Sequence, residues 1–254
     1  MVTVVFPAAG QGSRMKLGMN KVFLELAGKP MLIRTLMKFS ECPSVDKLVV
    51  VVARDEVAFV DHVLRAVPHI KPYVVTAGGS ERQYSIYNGL EVMDFNTDIV
   101  LVHDAARPFV SIETVEEVIA SAREYGAAIA AVPEKNTIKV VNQDGVVKLT
   151  PDRAQLWEVQ TPQGFKKEIL LEAYEKANRD GFLGTDDASL VERLGQPVKI
   201  VRSDYRNIKI TTPEDLLIVE AFMRDGRLHQ AKENFKSVLS NAASDLKENL
   251  FRQK

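Results

Sequence analysis

Val2-Thr3-Val4-Val5-Phe6-Pro7-Ala8-Ala9-Gly10-Gln11-Gly12-Ser13-Arg14-Met15 begins as an apolar β-branched run, turns into small residues and ends beside a cation. The run 2–6 reads as a first strand. The small residues after it let backbone approach a ligand closely, and exposed amides there suit phosphate oxygens. Further β-branched runs lie at 47–53, 72–76, 99–103, 127–132 and 198–202. Between them, apolar residues recur at helical spacing in 30–39, 55–67, 82–93, 112–124 and 166–178. Strands separated by helices of this length are parallel strands joined by crossover helices. Val49–Val52 and Ile99–Val102 are apolar on both faces, as central strands of such a sheet must be.

The expected fold is therefore α/β, a Rossmann-like, mostly parallel sheet flanked by helices, with ligands at the carboxyl ends of its strands. Two segments break the alternation. Within 134–157, Thr137–Val141 and Val146–Leu149 flank Asn142-Gln143-Asp144-Gly145, the pattern of two short strands around an Asp-Gly turn. This inserted β-hairpin arm reads either as a plain surface hairpin or as the element through which two chains form a homodimer. Beyond the main domain, 1–225, Leu228, Phe235, Leu239, Leu246 and Leu250 fall at helical spacing within 226–254. That is a C-terminal helical extension packed on its own domain or on a dimer mate. Its mixed-sign polar face argues against a membrane surface.

Composition removes several classes. A formal net charge of −1 over 254 residues gives no basic field for nucleic acid, so an anionic ligand needs positive charge gathered locally. Cys42 is the single cysteine, which excludes an internal disulfide and a cysteine-rich metal site. No apolar run approaches the ~18 residues of a membrane span, and the N-terminus lacks the pattern of a signal peptide. A cytoplasmic location is the expectation.

The loop after the first strand matches neither familiar phosphate motif. Met15 stands where a dinucleotide fingerprint needs its third glycine, which disfavours a dehydrogenase, and no Gly-Lys-Ser/Thr is present for a Walker loop. Arg14 and Lys21 nevertheless place two cations beside it, suiting a triphosphate and the charge that develops in phosphoryl transfer. Solvated surface cations are the plain alternative. Ala77-Gly78-Gly79-Ser80-Glu81-Arg82-Gln83-Tyr84-Ser85 follows the third strand; it reads as a base-binding turn or as a simple helix cap. His103-Asp104-Ala105-Ala106-Arg107 ends the most apolar strand. Asp104 there binds ribose or orients Mg²⁺. Arg107 pairs with Asp104 or faces substrate. His103 reads as a satisfied buried histidine, and His62, His69 and His229 have no metal spacing.

Pro-Ala-Ala-Gly-x-Gly-x-Arg-Met with a downstream lysine resembles the sugar-nucleotidyltransferase superfamily, and most closely its cytidylyltransferases that act on 2-C-methyl-D-erythritol 4-phosphate. Asn136-Thr137-Ile138-Lys139, Gln160-Thr161-Pro162-Gln163, Gly184-Thr185-Asp186-Asp187-Ala188-Ser189 and Asn207-Ile208-Lys209-Ile210-Thr211 follow in the matching order, so the resemblance covers 4–222. It implies that CTP lies against Pro7, Ala8, Ala9, Gly10 and Gly12, with Gly79 and Ser85 near cytosine, Arg82 holding that loop and Asp104 beside the nucleotide. It implies that Lys209 and Arg153 hold the polyol phosphate, with Arg107, Thr137 and Thr185 around the polyol. Arg14, Lys21, Arg153 and Lys209 are then the catalytic set, with Mg²⁺ carried mainly on the phosphates of CTP and Asp104 as its protein carboxylate. Two departures stand out. Relatives often carry Pro-Lys-Gln where this chain has Asn20-Lys21-Val22, and Asp where it has Ser80. A ribitol 5-phosphate cytidylyltransferase and a catalytically inert nucleotide-binding regulator are the competing readings.

Overall fold

The computed structural model describes residues 1–10 and 20–224. Gly12, Arg14 and the extension expected over 226–254 lie outside the described residues. One compact unit spans Met1–Thr211 and a second begins at Thr212, whereas the extension was expected to begin at 226.

The first unit runs β1 (Val2–Pro7), β2 (Glu25–Leu26), β3 (Lys29–Pro30), α1 (Met31–Ser40), β4 (Lys47–Val52), α2 (Val57–Arg65), β5 (Tyr73–Ala77), α3 (Arg82–Glu91) and β6 (Ile99–Val102). It continues with α4 (Ile112–Tyr125), β7 (Ala127–Pro133), β8 (Val140–Val141), β9 (Val147–Leu149), β10 (Trp157–Lys166), α5 (Lys167–Asp180), α6 (Asp187–Glu192) and β11 (Lys199–Arg202). Seven strands form one sheet in the order β11-β7-β10-β6-β1-β4-β5. Strand β1 is central and pairs in parallel with β4 and β6. Its side chains alternate between faces, as the strand period requires. Val4 and Phe6 join Leu36, Phe39, Leu64 and Val118, from α1, α2 and α4. Val5 joins Ile86, Leu90, Leu170 and Tyr174, from α3 and α5. Helix α3 lies especially close to the sheet, because a Cβ on Gly89 would stand 2.7 Å from Val5 Cγ1 and 2.9 Å from Val51 Cγ2. The carboxyl ends of β1, β5 and β6 consequently open on one side, between the layers of helices.

The expected α/β architecture is present, with one correction. Strand β10 was not anticipated, and it runs antiparallel to both β6 and β7. Thr161-Pro162-Gln163-Gly164 reads as loop because proline cannot donate to a ladder. The structure accommodates it with a register shift between Val159 and Gln163. Strands β7 and β10 are thus the two sides of one long hairpin, and the arm is its tip. Within the arm, pairing is limited to Val140–Leu149 and Val141–Val147, shorter than the strands expected at 137–141 and 146–149. Asn142 Oδ1 closes the turn by accepting from the amides of Asp144 and Val146. Helix α6 was also not anticipated; Asp186 caps it by accepting from the Ser189 amide.

In the second unit, residues 213–224 are helical, and the Thr212 amide donates to Asp215 Oδ2 at 2.8 Å. The helix thus begins within Thr212-Pro213-Glu214-Asp215. Among the described residues, no helix is long and apolar enough to cross a membrane.

Candidate active site

A cleft of about 370 Å³ lies at the carboxyl ends of β1, β5 and β6. Pro7, Ala8, Ala9 and Gly10 form its floor, and Gly79, Ser80, Glu81, Arg82 and Ser85 form one wall. Asp104, Ala105 and Ala106 form the other, and Lys21, Lys209 and Thr211 rim it. Three cations and two carboxylates therefore share this small volume in a chain whose net charge is −1.

The floor is drawn tight by backbone. The Ala8 amide donates to the Val51 carbonyl at 2.7 Å, and the Gly78 amide to the Val52 carbonyl at 2.8 Å. A Cβ on Gly78 would meet Ala9 Cβ at 2.6 Å and Ser85 Oγ at 2.7 Å, so glycine is what lets the two loops touch. Ser85 is buried; its Oγ accepts from the Gly79 amide at 3.1 Å and donates to the Glu81 carbonyl at 3.0 Å. The wall is a preset turn offering backbone groups and a fixed hydroxyl, which suits the edge of a base.

Asp104 is the electrostatic centre. It is only 7 % exposed, and Lys209 Nζ stands 2.9 Å from Oδ2, Arg107 Nε 3.4 Å from Oδ2 and Arg82 Nε 3.7 Å from Oδ1. Burial alone pushes its carboxyl upward; Lys209, Arg82 and Arg107 outweigh that and hold it well below the usual carboxylate range. Arg82 is in turn anchored by fully buried Asp187, at 2.8 Å, which also accepts from the Tyr174 hydroxyl. Burial would lower the Arg82 guanidinium, but Asp187 and Asp104 raise it above its ordinary value.

Behind Asp104 a chain of hydrogen bonds fixes the strand end. The Asp104 amide donates to Thr161 Oγ1 at 3.0 Å, and Thr161 Oγ1 lies 3.1 Å from His103 Nδ1. His103 Nε2 lies 3.0 Å from the Arg107 carbonyl, a pure acceptor, so the proton sits on Nε2 and Nδ1 accepts. Burial pushes this imidazole down to about 3, so it stays neutral, as expected of a satisfied core histidine. The consequence for stability has a definite sign. An unfolded histidine takes up a proton near about 6.5, whereas folded His103 resists until about 3, so its contribution is complete above about pH 6.5 and declines as pH falls through that window. The thermal midpoint should therefore drop between pH 7 and pH 5, and drop less in His103→Gln. Equal declines in the two proteins would remove His103 from the acid response.

Of the residues singled out in the sequence, Pro7, Ala8, Ala9, Gly10, Lys21, Gly79, Ser85, Asp104 and Lys209 line this cleft together. Lys21 Nζ donates to the Ile210 carbonyl at 2.9 Å. Arg107, expected beside the polyol, is buried behind the wall, where its Nη1 donates to the Asn207 carbonyl at 2.7 Å. Thr137, Arg153 and Thr185 are exposed and do not line the cleft. Arg153 sits in the turn Arg153–Gln155 at the base of the arm and donates to the Lys135 carbonyl at 2.9 Å. Asn20, Thr161 and Asp187 support the site but carried no role in the sequence reading. No local pattern gives their roles, since each acts on a partner distant in the chain.

A family model described as IspD, 2-C-methyl-D-erythritol 4-phosphate cytidylyltransferase, matches residues 2–225. The 2-C-methyl-D-erythritol 4-phosphate cytidylyltransferase of Caldanaerobacter subterraneus is 47 % identical over 224 residues, 88 % of this chain and 99 % of that protein. That of Geobacillus kaustophilus is 51 % identical over 217 residues, 85 % of this chain and 94 % of that protein. Among solved structures, the 4-diphosphocytidyl-2C-methyl-D-erythritol synthase of Anaerococcus prevotii superposes with a TM-score of 0.80 at 32 % identity, covering 88 % of this chain and 96 % of that one. The Thermus thermophilus cytidylyltransferase superposes at 0.72 with 34 % identity, covering 87 % and 98 %.

Proposed function

The chain belongs to the 2-C-methyl-D-erythritol 4-phosphate cytidylyltransferase family, and from that premise we propose which of its residues carry the reaction. The enzyme joins CTP to 2-C-methyl-D-erythritol 4-phosphate, giving 4-diphosphocytidyl-2-C-methyl-D-erythritol and pyrophosphate, in the non-mevalonate route to isoprenoid precursors. That activity supersedes the ribitol phosphate and non-catalytic readings. A phosphate oxygen of the polyol attacks the α-phosphorus of CTP, and the bond to the β-phosphate oxygen breaks. A phosphate monoester has its second pKa near about 6, so the nucleophile is largely a dianion at neutral pH and needs no general base.

What remains is to bring two anions together and stabilise a crowded phosphoryl group. The observation that carries the assignment is that Lys21 and Lys209 rim one cleft whose floor is backbone and whose wall is the Gly79–Ser85 turn. CTP lies along Pro7–Gly10 with its base against Gly79 and Ser85. Lys21, with Arg14, acts on the α-phosphoryl group, and Lys209, with Arg153, aligns the attacking phosphate. Thr137 and Thr185 surround the polyol. Among the described residues no group of three or more His, Cys, Asp or Glu is arranged to hold a metal by itself. The donor set fits Mg²⁺ that arrives on CTP phosphates, where Asp104 is the carboxylate that would hold it and the ion would neutralise triphosphate charge.

Thr137 and Arg153 do not line the cleft of their own chain, and in this reading the arm that carries them serves a neighbour's. Val140, Val141, Val146, Val147 and Leu149 are all exposed on it, and Val146 is 61 % exposed. A two-stranded hairpin with that much bare aliphatic surface needs a partner surface. A homodimer in which each arm completes the other chain's site meets that need. A cytoplasmic location belongs to the same reading.

Base selection tests the activity directly. A turn that reads a base through fixed backbone and Ser85 groups leaves those groups unpaired with a purine. CTP should therefore exceed ATP in kcat/KM by at least about tenfold. Comparable values would remove the Gly79–Ser85 turn from base recognition.

A further inference from the structure

Asn20 precedes Lys21 and is only 7 % exposed. Its carboxamide makes three directed contacts. Nδ2 donates to the Ala8 carbonyl at 2.7 Å and to Glu56 Oε2 at 3.1 Å. Oδ1 accepts from the Val22 amide at 3.3 Å and so caps the single turn Lys21–Phe23. Ala8 and Glu56 offer only acceptors here, so one orientation of the amide satisfies all three partners. Glu56 is itself tied down, because the same Oε2 accepts from the Ala53 amide at 3.2 Å. One side chain thereby joins the end of β1, the segment after β4 and the turn from which Lys21 projects.

We propose that Asn20 is a positioning residue for Lys21, a function that this set of partners reserves for a carboxamide. The inference rests on Lys21 acting on the α-phosphoryl group. A lysine ammonium rides on a flexible four-carbon stem, so its location depends on how firmly its backbone is held. Aspartate has the shape of asparagine but neither donor, and it sets a second carboxylate against Glu56. Serine and threonine supply a single donor. Proline keeps the backbone angle of −63° seen at this position and supplies no donor at all.

Asn20→Asp, confirmed folded by circular dichroism, should lower kcat by about 10–100-fold, the scale of a misplacement near 1 Å, while KM for CTP stays nearly constant. Asn20→Asp with Glu56→Gln should regain much of that loss, because the glutamine amide donates to the introduced carboxylate and the like-charge contact disappears. Lys21→Ala is measured alongside. If Lys21→Ala turns over at the wild-type rate, the role of Lys21 fails and this inference falls with it. If Lys21→Ala is inactive while Asn20→Asp is not impaired, or while Glu56→Gln brings no relief, the role of Lys21 stands and the positioning inference alone is overturned. Should Asn20→Asp not fold, Glu56→Ala removes one contact from outside the cleft. A reduced kcat at constant KM then supports the inference, and an unchanged kcat overturns it.

Discussion

Replacing Lys21 with alanine is expected to lower kcat by on the order of 10²–10³, with little change in KM for CTP. The split follows from when the charge is needed. In the assignment proposed above, ground-state affinity for the triphosphate is shared among the several groups that line the cleft, of which Lys21 is one. Charge crowding at the α-phosphorus grows only as the new bond forms, and Lys21 is one of two lysines on the cleft rim placed to meet it. Its ammonium is held at 2.9 Å by the Ile210 carbonyl, next to Thr211 on the cleft wall. A preorganised donor of this kind contributes about 2.7–4 kcal/mol to the transition state, which is the stated rate loss. Single-turnover kinetics separate the chemical step from product release. Near-wild-type turnover would take Lys21 out of the mechanism, and a pure KM defect would reassign it to binding.

The second large effect is a recovery. Lys21→Ala and Arg153→Ala chains should each be nearly inactive alone, yet regain activity when unfolded and refolded together. Lys21 lines the cleft, whereas Arg153 is exposed at the base of the arm. If the arm completes the neighbour's site, a mixed dimer has one site with both lesions and one with neither. Random pairing makes half the dimers mixed, so roughly a quarter of all sites recover. If the arm serves its own chain, every site keeps one lesion. Mixtures that remain as inactive as their parents, with subunit exchange confirmed by mass, would therefore exclude the shared site and assign Arg153 to its own chain's cleft.

What could be read from sequence divides along physical lines. Strand ends are legible, because a β-branched run that stops at small or charged residues has one plausible neighbourhood. That logic singled out Pro7–Gly10, Gly79 and Asp104, and the fold brings them to one cleft. Lys209 became legible only through the order of successive motifs. Strand β10 was hidden because a proline stands in its middle, and only the register shift beside Val159 makes that tolerable. Arg107 was left open between two roles, and in the fold its Nη1 donates to the Asn207 carbonyl and its Nε to Asp104. Thr161 reaches Asp104 across 57 positions, a contact that no local pattern encodes. Asn20 was noticed as a departure from the proline of related sequences. Its meaning depends on Ala8 and Glu56, which only the folded chain brings to it.

Asp104 also governs the cleft when no substrate is bound. Lys209, Arg107 and Arg82 all lie within 4 Å of its carboxylate, and like charges gathered so closely would otherwise repel one another or collect whatever anion was at hand. The aspartate is a built-in counter-ion to all three. In the assignment proposed above, Lys209, the most exposed of the three, would exchange that carboxylate for an incoming phosphate, while Arg107 and Arg82 have further partners in the protein. Binding would then be an exchange of one anion for another rather than the filling of a bare positive hole. Such an exchange favours ligands that bring at least as much negative charge as they displace, and it leaves weakly charged metabolites with little to gain from entering.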